Sequence, residues 1–413
     1  MKSILKTIAF ILITVVLIGC TGPGYSTRAL PEEQYVVMLS MDGCRWDYPQ
    51  LAPMPNLERI AKAGVKAASL QPAFPSKTFP NHYTLATGLY PDHHGIVQNS
   101  FYDPEMETAY RISDREAVEN GLFYAGEPIW VTAEEQNVKS ASYFWVGSEA
   151  PVQGVQPSIT KRYEHDFPFE SRVYSVIAWL QLPEKQRPRL ITWYFHEPDG
   201  VGHKFGPESP ETRAKLIYLD SLLGDFLDKL EQLPIADQVN VIVTADHGMA
   251  TISSDRVVVM DEYINRNWVL NAQGGNPVWL LDIEDEFIDS VANTLNAAPH
   301  IRAWKRETLP EYLHYGTNPR VLDVIVVADN GWSALWSERV SEEHYVGGTH
   351  GYDPTSKDMH AIFYAMGPAF KPGYVNPTFE NIHVYSLLAH ILKIQPAETD
   401  GDLSAVKGML RNP

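Results

Sequence analysis

Cysteine is almost absent from this chain. Cys20 and Cys44 are the only two in 413 residues, which excludes a disulfide framework. Positive charge is scarce too: 33 Lys and Arg face 51 Asp and Glu, a formal net charge of −18. That balance argues against bulk nucleic acid as a partner, because such proteins carry basic patches. It also makes an anionic substrate awkward unless bound cations reverse the local field. Internal repeats and low-complexity segments are missing. Hydrophobic residues make up an ordinary 44%, enough for a large α/β domain.

One long apolar run stands at the N-terminus. Lys2 and Lys6 form a basic start, and Ile8 to Ile18 is nearly all apolar. It falls short of the ~20 residues needed to span a bilayer. Leu17-Ile18-Gly19-Cys20 ends it and resembles a bacterial lipobox, in which the cysteine is lipidated. Residues 1–20 are therefore expected to be a lipoprotein signal peptide and 21–33 a tether. The membrane would be reached through lipid on Cys20 rather than by a span. The bacterial envelope is the implied location, and Thr21, where an aspartate would favour the inner membrane, points to the outer one. Cys44 is then a lone thiol, expected as a small buried residue.

From residue 34 the pattern is that of strands alternating with helices. Gln34 to Met41, 190–196 and 239–245 are apolar runs of the kind buried on both faces of a parallel sheet. Met54 to Gly64 reads as a helix with Gly64 as its stop. Ser209-Pro210-Glu211 starts another, and Leu216, Leu219, Leu223, Phe226 and Leu230 follow at helical spacing. Ala361 to Ala365 reads as a late core strand. The expected class is α/β, a mainly parallel sheet with helices on both faces, over residues 34–413. About 255–345 reads as a small inserted α/β lobe, built on Val278 to Ile283, a helix near Glu286 to Asn296, and Val321 to Val327.

The chemistry gathers where the apolar runs stop. Asp42, Asp199 and Asp246 each follow a strand, at the end where doubly wound sheets bind ligands. Three converging carboxylates repel one another unless cations lie between them. Histidines accompany them: His203 four residues after Asp199, His247 beside Asp246, and His350 in Gly348-Thr349-His350-Gly351. The glycines of Asp199-Gly200-Val201-Gly202-His203 are expected to permit a tight turn. Mixed imidazole and carboxylate ligation suits zinc. Thr78 precedes a helical pattern, so its hydroxyl is placed at a helix N-terminus, which suits a phosphate. His82, His93, His94 and His196 are expected in supporting roles, and His344 and His360 have no clear partner.

Five ordered motifs carry a resemblance. They are Lys77-Thr78-Phe79-Pro80-Asn81-His82-Tyr83, Thr87-Gly88-Leu89-Tyr90-Pro91 with His94-Gly95-Ile96, Glu197-Pro198-Asp199, Asp246-His247-Gly248-Met249 and His350-Gly351-Tyr352. Over most of residues 34–390 the chain resembles the nucleotide pyrophosphatase/phosphodiesterase branch of the alkaline phosphatase superfamily. That resemblance implies two zinc ions. Asp199, His203 and His350 would bind the first; Asp42, Asp246 and His247 would bind the second, with Thr78 as its reacting ligand and nucleophile. It implies that Asn99 holds a phosphoryl oxygen, and that Phe79 and Tyr163 sandwich a nucleobase. The implied substrate is a small phosphodiester or a nucleotide. A phosphomonoesterase or a phospholipid-type diesterase on the same scaffold is the alternative, and a non-catalytic surface lipoprotein is a more distant one. No Cys-x-Pro-Ser-Arg is present, so a sulfatase fails at the nucleophile.

Overall fold

The computed structural model of the chain describes residues 30–340 and 346–411. The expected signal peptide, Cys20, most of the tether and His344 lie outside the described residues.

The first strand, β1 (Tyr35–Met41), is buried at every position, as an unbroken apolar run must be. Helix α1 (Pro55–Ala63) ends at Gly64, whose φ of −149° is extended. The glycine is therefore needed for space, not for a left-handed cap: a Cβ there would lie 2.1 Å from the Ala365 carbonyl oxygen. Then come β2 (Val65–Ala67), α2 (Thr78–Thr87), β3 (Ser140–Tyr143), β4 (Ile159–Lys161) and α3 (Phe169–Leu180). After β5 (Leu190–Phe195) and α4 (Asp199–Phe205) runs the long α5 (Pro210–Glu231). Ser209 caps α5 by accepting from the Thr212 N–H at 3.1 Å. Its leucines and Phe226 turn one stripe inward. Strand β6 (Val239–Thr244) follows.

The next segment holds a second sheet. It contains β7 (Val269–Gly275), β8 (Val278–Ile283), helix α6 (Ile288–Ala297), β9 (Ile301–Lys305) and β10 (Val324–Ala328). The order is β7-β8-β10-β9, antiparallel throughout. Period-two alternation splits its side chains. Trp279, Leu281, Val324 and Val326 pack with Val291 and Leu295 of α6. Val278, Leu280, Ile325 and Val327 join the main core instead. The sheet is thus seated on the body of the protein by a full apolar face, and residues 31–413 make one compact unit.

The chain returns through β11 (Phe363–Met366), β12 (Tyr374–Asn376) and α7 (His383–Leu392). The main sheet has eight strands in the order β12-β2-β11-β6-β1-β5-β3-β4. It is parallel except for β11, which runs against β6 and β2. Strands β6, β1 and β5 are central neighbours in parallel register, with Met41 beside Phe195 and Ser40 beside Thr244. Their carboxyl ends therefore open side by side.

Candidate active site

Asp42 is the residue immediately after β1, Asp246 stands two beyond β6, and Asp199 opens α4 after β5. The Asp199 N–H donates to the Asp42 carbonyl at 3.0 Å, tying two of these ends together. Gly43 has φ +68°, and a Cβ there would lie 3.0 Å from Asp199 Cβ. Both the turn and the close approach require glycine after Asp42.

Two groups of three side chains result, and in each the ligand atoms lie within 4.8 Å of one another. The first is Asp199, His203 and His350; the second is Asp42, Asp246 and His247. In the first, Asp199 Oδ1 is 3.3 Å from His203 Nε2 and 3.6 Å from His350 Nε2. In the second, His247 Nε2 lies 3.0 Å from Asp246 Oδ2 and 3.5 Å from Asp42 Oδ1. The Asp199-to-His203 step differs from expectation. It is a helical turn of α4, not a glycine turn, and the i,i+4 spacing aims both side chains one way. The nearby glycines give room instead: a Cβ on Gly347 would lie 2.1 Å from the His203 carbonyl oxygen.

The donor atoms are those a cation would require. Asp42 Oδ1, Asp199 Oδ1 and Asp246 Oδ2 are buried and accept no hydrogen bond, a costly state for carboxylate oxygens. The imidazoles are committed on their far nitrogens: His203 Nδ1 to the Gly348 carbonyl, His350 Nδ1 to that of Ser76 and His247 Nδ1 to that of Gly248, each at 2.8 Å. That leaves all three Nε2 atoms turned toward the carboxylates, the usual support of a ligating histidine. Without cations the charges conflict. Burial, and then Asp246 and Asp199, push the Asp42 carboxyl well above the usual range. Burial acts the same way on Asp246 and Asp199, but adjacent imidazoles outweigh it and hold both low. His350 is pushed down by burial and by His247.

Thr78 is the first residue of α2, and its Oγ1 lies 3.2 Å from His247 Nε2. Asn99 Oδ1 accepts from the Phe79 N–H at 3.0 Å, which places the Asn99 amide beside the start of α2. Asp42, Thr78, Phe79, Tyr163 and Asp199 all face one cavity of about 310 Å³. Phe79 and Tyr163 are thus both on its wall, as a base-binding slot would need.

Tyr194 is a supporting residue that sequence reasoning missed. Its hydroxyl donates to Asp42 Oδ2 at 2.5 Å. The only available signal was its position, one residue before the end of the apolar run that forms β5. Of the other histidines, His82 bonds Ser40 Oγ at 2.9 Å and lies 3.3 Å from Asp246 Oδ2. His94 bonds Thr84 Oγ1, and His93 pairs with Asp400 at the surface. His196 stacks on His165 at 4.0 Å on the cavity wall. His360 Nδ1 meets Ser69 Oγ at 2.8 Å and belongs to neither cluster. Cys44 is buried.

A mainly parallel sheet with two carboxylate–imidazole clusters and a threonine hydroxyl at its carboxyl edge defines an alkaline-phosphatase-like fold. The model of the type I phosphodiesterase/nucleotide pyrophosphatase family matches residues 36–353, and the chain belongs to that family. Venom phosphodiesterase 2 of Crotalus adamanteus is 38% identical over 392 residues, 92% of this chain and 48% of that protein. Ectonucleotide pyrophosphatase/phosphodiesterase family member 3 of Rattus norvegicus is 38% identical over 388 residues, 92% of this chain and 44% of that protein. The chain thus spans about half the length of the curated relatives it matches. Among solved structures, an inactive variant of murine ectonucleotide pyrophosphatase/phosphodiesterase 5 in complex with AMP superposes with a TM-score of 0.86 at 33% identity. That match covers 92% of this chain and 100% of the other.

Proposed function

We propose that the protein is a two-metal phosphodiesterase and nucleotide pyrophosphatase that works through a covalent threonine intermediate. The observation that carries this reading is the Thr78 hydroxyl, 3.2 Å from His247 Nε2 and open to the same cavity as Asp42 and Asp199. Asp199, His203 and His350 would hold one cation, and Asp42, Asp246, His247 and Thr78 the other. Zinc fits this donor set best. Bound there, the cations would neutralise the carboxylates, favour the ionised form of the Thr78 hydroxyl and offset charge on the attacking and leaving oxygens.

The chain's own groups do the rest. Thr78 Oγ1 attacks phosphorus in line, the P–O bond to the leaving group breaks on the opposite side, and a phosphothreonine ester forms. Water then attacks the same phosphorus from the vacated side, and Thr78 recovers its proton. Asn99, oriented by the Phe79 N–H, donates its amide to a non-bridging oxygen, and the Thr78 N–H at the start of α2 adds to that stabilisation. Phe79 and Tyr163 grip the base of a nucleotide substrate, a reading supported by the AMP in the murine relative's structure. Attachment to the bacterial envelope through lipid on Cys20 belongs to the same proposal.

The test is hydrolysis of bis-p-nitrophenyl phosphate against p-nitrophenyl phosphate by zinc-loaded protein lacking residues 1–20. A large diester preference is expected. A monoester preference would overturn the substrate class while leaving the two-metal site intact.

A further inference from the structure

Around Tyr163 four charged side chains close into a ring. Arg162 Nε donates to Glu119 Oε1 at 2.7 Å, and the Arg115 guanidinium donates to the same oxygen at 3.1 Å. Arg115 also pairs with Glu149. Glu149 Oε2 accepts from the Tyr163 N–H at 3.0 Å. Because Arg162 and Tyr163 are consecutive, the chain of contacts returns to its starting point. It ties residues 162–163 to the short helix Arg115–Val118 and to the loop carrying Glu149.

The ring is graded in burial. The Glu149 side chain is 8% exposed, whereas that of Arg162 is 69% exposed. Exposed pairs contribute little on their own. A buried carboxylate is another matter, because it must be paired and fully hydrogen-bonded to be tolerated. Glu149 Oε2 takes both contacts, accepting from the Arg115 guanidinium and from the Tyr163 N–H, so the ion pair and the backbone tie meet on one oxygen. Two Arg and two Glu also cancel, so the ring adds no net charge beside an anionic substrate. The other end of Tyr163 is fixed as well: its hydroxyl is 2.8 Å from His165 Nδ1.

We propose that the Arg115–Glu149 pair is a positioning device that sets where Tyr163 stands in the cavity it shares with Phe79, and so selects diesters that carry a nucleobase. This rests on the base-slot reading above. Neither residue need touch the reacting phosphorus, so the device acts on binding of the base and not on bond cleavage.

The test compares thymidine 5′-p-nitrophenyl phosphate with methyl p-nitrophenyl phosphate, which has the same leaving group and no base. Glu149→Leu removes both charge and acceptor. It is expected to raise KM for the thymidine ester roughly tenfold, with kcat and methyl-ester turnover unchanged. Glu149→Gln keeps an acceptor for the Tyr163 N–H and should recover part of the loss. Arg115→Met added to Glu149→Leu should change KM little further, because the two act as a unit. Equal losses on both esters would mean a general structural role, and no change on either would mean that the ring does not position Tyr163; both outcomes overturn the proposal. If the unaltered protein shows no preference for the thymidine ester, the base slot itself is at fault, which is a separate result.

Discussion

The imidazoles of His247 and His350 lie face to face, with ring centroids 3.5 Å apart and planes 12° from parallel. One belongs to each cluster, so the two sites share a wall. His350 is held low by burial and by His247, and neutral imidazoles are the form that binds metal.

Two equivalents of zinc should therefore bind to metal-stripped protein, with protons released by Asp42, whose carboxyl is pushed well above the usual range, and not by His350. Folding should be stabilised as well, because the ion binds an array that the unfolded chain lacks. Calorimetric titration in two buffers of different ionisation enthalpy gives both stoichiometry and proton count. One equivalent, or none, would contradict the reading of the clusters.

Tyr194 holds Asp42 by a short hydrogen bond. Tyr194→Phe should keep the packing of the ring and lose that bond. Partners of this kind are worth roughly 10- to 100-fold in metal affinity. Competition with a chromogenic chelator should show one site weakened by that order and the other unchanged. Equal weakening of both sites would instead indicate a general loosening of the sheet edge.

His94 supplies a pH dependence from a side chain that belongs to neither metal cluster. It is buried against Thr84 and the Pro80 carbonyl, and burial pushes it down to about 3. The unfolded chain takes up this proton near pH 6.5, whereas the folded chain resists until about pH 3. Stability from this group is thus present above the unfolded value and lost as pH falls from there toward 3. Urea midpoints should fall across that window, and His94→Asn, which keeps an acceptor for the Ile96 N–H, should flatten the slope. A slope unchanged in the variant would assign the acid sensitivity elsewhere.

Much of this architecture is legible in sequence for a physical reason. Strands β1, β5 and β6 are buried on both faces, so their apolar runs announce both the parallel sheet and the edge where Asp42, Asp199 and Asp246 emerge. The start of α5 is legible because Ser209 and Pro210 have few other uses together. Other elements carry no such signal. Helix α3 has Arg172 fully buried in its first turn, satisfied by the carbonyls of Tyr194 and Phe167 at 3.0 and 2.8 Å. Periodicity counts that arginine as surface. Helix α7 is buried almost all round, so its sequence shows no amphipathic stripe. The reversal of β11 depends on β2 and β6 flanking it, and the role of Tyr194 on a side-chain contact from β5 to the residue after β1. Both are tertiary facts with no local trace.

Removing the Thr78 hydroxyl should abolish turnover while leaving the clusters of carboxylate and imidazole in place. Thr78→Ala is expected to lose activity by on the order of 10³-fold or more, with thermal midpoint little changed. Retained turnover would shift the nucleophile to water.

The stereochemical course at phosphorus tests the central claim most directly. A thymidine phosphorothioate ester of defined configuration, hydrolysed in ¹⁸O-labelled water, would be followed by ³¹P NMR. Each in-line displacement inverts phosphorus, so attack by Thr78 followed by attack by water gives net retention. Retention is the result this account predicts; net inversion would mean a single displacement by water and would remove Thr78 as nucleophile.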